Sequence, residues 1–134
     1  MPDAASAERQ IRRGRAVTLI ALLGLAVLYV MALQFTPPER TMGLVQKLYY
    51  VHPPAAYAMQ LAFLTTGLCS LLYLLLRDER FDLFAEASAE VGMVMGMIVV
   101  ITGPIWGRPA WGVWWAWEPR LTFTVLELLV FGGY

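Results

Sequence analysis

Residues 16–35 form an unbroken run without a single charged side chain. Roughly 20 apolar residues in a helix match the hydrocarbon thickness of a bilayer. This run therefore limits the chain more than any other feature: it belongs in lipid, where a charge at the helix centre costs about 2.5–3.5 kcal/mol or more. Two further stretches qualify, 54–76 and 87–105, the latter marred only by Glu90 near its start. A fourth, 121–134, is apolar but short. At 1.5 Å per residue it reaches about 21 Å, less than the ~30 Å core. It reads as a partial span, and the chain as a fragment or as a protein completed by another chain. A signal peptide is a poorer description of 16–35, because the run exceeds the usual 7–15 residues and more spans follow.

The expected fold is an all-α integral membrane protein. It has three full transmembrane helices plus a partial fourth, with a short Trp-rich interfacial loop or helix, and residues 1–134 form one multi-span domain. Composition agrees, since 59% of residues are hydrophobic and 15% charged, against about 25% charged in soluble domains. Formal net charge is zero, which gives no reason to expect a nucleic-acid partner. The single cysteine, Cys69, excludes a disulfide within the chain. No Cys-x-x-Cys-His run for covalent haem attachment occurs.

Basic residues orient the spans. Arg9, Arg12, Arg13 and Arg15 precede the first span, and Arg77 and Arg80 lie in loop 77–86 on the same side. Arg40, Lys47, Arg108 and Arg120 fall on the opposite side. The positive-inside bias puts the N-terminus in the cytoplasm, with loops 36–53 and 106–120 outside.

Loop 106–120 holds all five tryptophans, Trp106, Trp111, Trp114, Trp115 and Trp117. One reading is an interfacial belt, since Trp favours the headgroup level. Five within twelve residues also suit a different role. If 111–118 is helical, Trp111, Trp114, Trp115 and Glu118 share one face and offer a flat apolar platform to a planar aromatic ligand. Arg108 and Arg120 flank it. Guanidinium groups pair with carboxylates, or with lipid phosphates.

The only histidine, His52, precedes Pro53-Pro54 at the start of the second span. Proline disfavours the helical region for the residue before it, so an extended His52 ahead of a helix beginning at Pro54 is expected. The positive end of the helix dipole favours the neutral ring, the form that ligates metal. Imidazole is a common axial ligand of haem iron. The fourth span, starting near Pro119, aims a second helix N-terminus at the same side, and such termini attract anions. Met42 is a weaker candidate ligand. Met93, Met95 and Met97, beside Gly92 and Gly96, read as helix-packing residues. Glu127, about 10 Å into the fourth span, reads as a protonated carboxyl bonded to a neighbouring helix, with Gln60 the expected partner, or as part of a polar path.

The strings Tyr-Tyr-Val-His-Pro-Pro-Ala-Ala and Thr-Gly-Pro-Ile-Trp-Gly-Arg-Pro-Ala-Trp-Gly-Val-Trp-Trp-Ala-Trp-Glu-Pro-Arg-Leu-Thr resemble the CcmC family, haem-handling membrane proteins of cytochrome c maturation with a Trp-rich "WWD" signature. Glu118 stands where that signature has aspartate. The resemblance implies haem b held transiently and non-covalently at the outer face of the cytoplasmic membrane. It assigns His52 as an axial iron ligand, with a second axial histidine in a later outer loop. The tryptophans and Glu118 would contact haem, and Arg108 and Arg120 its propionates. Its implied partners are a CcmE-like haem chaperone, ABC-transporter subunits and a small membrane helper. No bond-making chemistry is expected of this chain. The alternatives are a transporter or channel subunit using Glu127 and Gln60, or a structural membrane subunit with an aromatic belt.

Overall fold

The computed structural model describes residues 4–134, of which all the extended elements are helical. Three of these helices are long and apolar enough to cross a membrane. The chain divides into two compact units, one ending at Pro37 and the other comprising Pro38–Tyr134.

The first unit is a single helix, α1, Ala4–Phe35. It starts well before the apolar run at 16. Ala, Glu, Gln and Arg in its first turns are strong helix formers, and Arg9 Nε reaches back to the Ala5 carbonyl at 3.2 Å.

The second unit opens with a tight turn in which Glu39 accepts bonds from the Thr41 and Met42 amides, both at 2.8 Å. A 3₁₀ segment, Leu44–Tyr50, follows and feeds into α2, His52–Leu76. His52 is thus the first helical residue rather than an extended one. The Val51 carbonyl already accepts from Ala55 N at 3.1 Å. Pro53 loses nothing in that first turn, where its missing N–H would have had no partner.

Residues 77–86 are not a loop. Arg77 takes a left-handed conformation (φ 56°), and Asp78 caps the next helix by accepting from Arg80 N at 3.0 Å. The connection is two residues long, and α3 runs from Glu79 to Trp111. It therefore outruns the expected 87–105 span at both ends, continuing through Pro104 and Pro109. A membrane helix can accommodate proline where neighbouring groups satisfy the freed backbone. Gly112, at φ 77°, ends α3, and α4 spans Pro119–Gly132.

Glycines set how closely these helices approach. A Cβ on Gly92 would overlap the Phe63 ring, and one on Gly96 would overlap Leu128. Met59, Phe63 and Leu128 form the core, with Met93, Met95 and Phe131 packed against them. Phe63 and Phe131 stack at 3.8 Å between centroids. The Thr66 hydroxyl, fully buried, lies 3.0 Å from the Ala62 carbonyl of its own helix and 3.3 Å from the Ala85 carbonyl of α3. Leu61, Leu64, Leu71 and Leu75 point away from the core and are more than half exposed. Such an apolar exterior suits lipid.

Candidate functional site

At the end of the second unit where α2 begins, the three helices part around a cleft of about 180 Å³ that opens at one side. Its walls carry His52, Trp106, Trp111, Trp114, Trp115 and Arg120. Ala56, Met59 and Gln60 of α2, Val99, Val100, Gly103 and Pro104 of α3, and Leu121 and Thr124 of α4 complete it.

His52 is held from two sides. Its Nδ1 lies 2.9 Å from Thr102 Oγ1 of α3. Its ring is nearly parallel to Trp106, with an interplanar angle of 8° and centroids 6.2 Å apart. Gly103 makes room: a Cβ there would sit 3.3 Å from His52 Cε1. Trp111 meets Trp106 edge-on at 88° and 5.7 Å, and folds back over Gly107, where a Cβ would come within 2.9 Å of its ring.

The Trp-rich segment is not a helix over 111–118. Trp111 is the last residue of α3, and 112–118 is irregular. Gly112 in the left-handed region breaks the helix, and Pro119 starts the next. The tryptophans accordingly share no flat face. Trp115 and Trp117 meet at 75°, and the rings line a cleft with both faces and edges.

The arginines divide. Arg120 lines the cleft, sits 5.4 Å from the Trp111 centroid, and donates from Nε (3.1 Å) and Nη2 (2.5 Å) to one oxygen of Glu118. Arg108 stacks on the outer Trp114 ring at 4.4 Å and does not line the cleft. Trp117 is 77% exposed and, like Glu118, stands outside the lining.

The indole N–H groups of Trp106 and Trp115 are buried without a hydrogen-bond partner among the described residues. An unpaired buried donor is costly, about 1–3 kcal/mol. A headgroup anchor would keep its N–H in a polar layer, whereas these two are enclosed by the chain itself. Met42 does not line the cleft, whereas Met59 does. No hydrogen bond joins Gln60 to Glu127 among the described residues; Gln60 lines the cleft and Glu127 does not. Thr102, Gly103 and Met59 escaped the sequence reading. Their contribution depends on how α2 and α3 pair, and only the Thr-Gly-Pro string hinted at it.

These features define a multi-pass helical membrane protein with an imidazole set in an aromatic cleft at one end of its bundle. The chain belongs to the heme exporter protein C family, whose sequence model matches residues 5–134. It is 42% identical over 100 residues to the heme exporter protein C of Rhodobacter capsulatus, covering 75% of this chain and 41% of that protein. Identity to the Paracoccus denitrificans protein of the same name is 41% over 99 residues, 74% of this chain and 41% of the relative. The Escherichia coli protein of that name is 27% identical over 117 residues, 87% of this chain and 48% of the relative. The chain thus spans two-fifths to one-half of the length of these relatives.

Proposed function

We propose that this chain is the part of a haem-handling protein that holds haem b non-covalently in the cleft of α2–α4. One observation carries the reading: His52, four tryptophans and Arg120 converge on a single cleft. Haem brings an iron with axial positions for imidazole and two carboxylates for cationic partners. The chain's donors match that chemistry. His52 is the axial ligand, Arg120 a propionate partner, and Trp111, Trp114 and Trp115 supply apolar enclosure. Trp106 supports the imidazole rather than the porphyrin, because its ring parallels that of His52. Glu118 holds Arg120, while Arg108 and Trp117 guard the cleft's rim.

In this reading the cleft faces outward from the cytoplasmic membrane, the N-terminus is cytoplasmic, and haem passes to a CcmE-like chaperone. ABC-transporter subunits and a small membrane helper complete the assembly. The chain presents haem without making or breaking bonds in it. The test is a ferric haem titration of the purified chain in detergent. A Soret shift that added imidazole converts to low spin, and that His52→Ala abolishes, is expected. Unchanged binding in His52→Ala would remove the ligand assignment.

A further inference from the structure

Resting on the haem reading, we propose that Thr102 is the positioning residue that fixes the His52 tautomer, leaving Nε2 as the nitrogen offered to iron. The argument begins with one proton. Thr102 Oγ1 lies 2.6 Å from the Ile98 carbonyl, one turn back along α3. A carbonyl can only accept, so the hydroxyl hydrogen is committed there. The same Oγ1 lies 2.9 Å from His52 Nδ1. With its hydrogen already given, Oγ1 acts as acceptor in this second bond, and Nδ1 is the donor. A neutral imidazole protonated at Nδ1 carries its lone pair on Nε2.

The remaining geometry holds that arrangement. Trp106 stacks along one side of the ring, and Gly103 lets the ring approach α3. The donor–acceptor chain His52 Nδ1–H to Thr102 Oγ1–H to the Ile98 carbonyl therefore couples the ring's orientation to the backbone of the opposite helix. A ligating histidine commonly gives its other N–H to such a partner. Loss of that partner typically weakens the metal bond 10–100-fold. The Val99 carbonyl also faces the ring, so the experiment must separate the two acceptors.

The chain has a single histidine, which makes the tautomer directly readable. ¹⁵N-histidine labelling of the full chain in detergent, followed by NMR, gives the protonation state of each ring nitrogen without haem. Nδ1 carrying the proton in the wild type is expected. Thr102→Val should transfer much of that population to Nε2 and weaken ferric haem binding about 10-fold or more. Thr102→Ser, which keeps the hydroxyl, should restore both, and circular dichroism should find all three equally helical. A Thr102→Val chain with unchanged tautomer and unchanged haem affinity would overturn the proposal, with Val99 then holding the ring. Failure of the haem reading looks different: His52→Ala leaves haem binding intact while the tautomer of the unliganded chain still responds to Thr102.

Discussion

The Trp106 ring lies parallel to the His52 imidazole, 8° from coplanar in orientation and 6.2 Å away. Trp106 comes from α3 and His52 from the first turn of α2. Together with Thr102 it confines the imidazole between fixed neighbours before any ligand arrives. Preorganisation of this kind lowers the ordering cost of binding.

Removing that support should loosen the ligand without unfolding the bundle. An aromatic pair contributes about 0.5–1.5 kcal/mol beyond its buried area. Trp106→Leu should weaken ferric haem binding about 2–10-fold, whereas Trp106→Phe, which can still stack, should recover most of the loss. Haem titration of the two variants checks this.

Glycines at the helix contacts should be intolerant where the structure is tight and indifferent where it is open. Gly92→Ala meets the Phe63 ring, so repacking should cost about 1–3 kcal/mol. Gly67→Ala meets nothing within 4 Å, and helix propensity should make it neutral or mildly stabilising, by up to about 1 kcal/mol. Denaturant unfolding in detergent measures both; equal stabilities would contradict the packing of α2 on α3.

The Glu118–Arg120 pair is exposed, 42% and 67% by side chain. Its contribution to stability should be small, about 0–1 kcal/mol. Its role should surface in binding. Arg120→Gln should lower haem affinity about 10-fold by removing a charge-assisted donor. Glu118→Gln should leave affinity within about threefold, because the guanidinium stays charged. Titrating both variants with ferric haem and with a porphyrin lacking propionates separates carboxylate contact from packing: the Arg120 effect should vanish with the second ligand.

Sidedness can be read by thiol labelling after replacing Cys69 with serine. Cysteines at Thr41 and Val113 should react with an impermeant reagent from outside the cytoplasmic membrane, while one at Asp78 should react only after lysis. These positions avoid Gly43 and Gly112, whose φ values of 59° and 77° would strain any side chain. Labelling of Asp78 first would reverse the orientation.

The turn before the 3₁₀ segment should be acid-sensitive. Amide donors from Met42 and Thr41 hold the Glu39 carboxyl below its ordinary range. A depressed carboxylate stabilises the turn above its unfolded pKa, and that contribution is lost as pH falls through the lower folded value. The protection factors of the Thr41 and Met42 amides, taken against the intrinsic exchange rate at each pH, should therefore hold at neutral pH and fall under acid, and Glu39→Gln should lower them at neutral pH.

Helix number and membrane class were legible in the sequence because apolar run length is a direct physical signal. Helix ends were less so. Residues 77–86 read as a loop and the third span as 87–105, yet Asp78 caps a helix at the first and α3 continues through Pro104 and Pro109 to Trp111. At the site, His52 and the tryptophans stood out by residue type. The ring orientations did not, because Gly112 turns the chain and gives each indole its own direction. Thr102 was hidden for a different reason: its bond to His52 crosses fifty positions of sequence, and nothing in a local pattern records which helix faces which.

The two-residue turn at Arg77-Asp78 makes α2 and α3 a helical hairpin, and that has a consequence for the order of assembly. His52, Thr102 and Trp106 all belong to the hairpin, while Arg120 arrives with α4. Chains emerge N-terminus first, and neighbouring helices joined by short turns pair early. The half of the cleft that carries the imidazole is therefore built before the half that carries Arg120, so the imidazole is already oriented when α4 packs beside it.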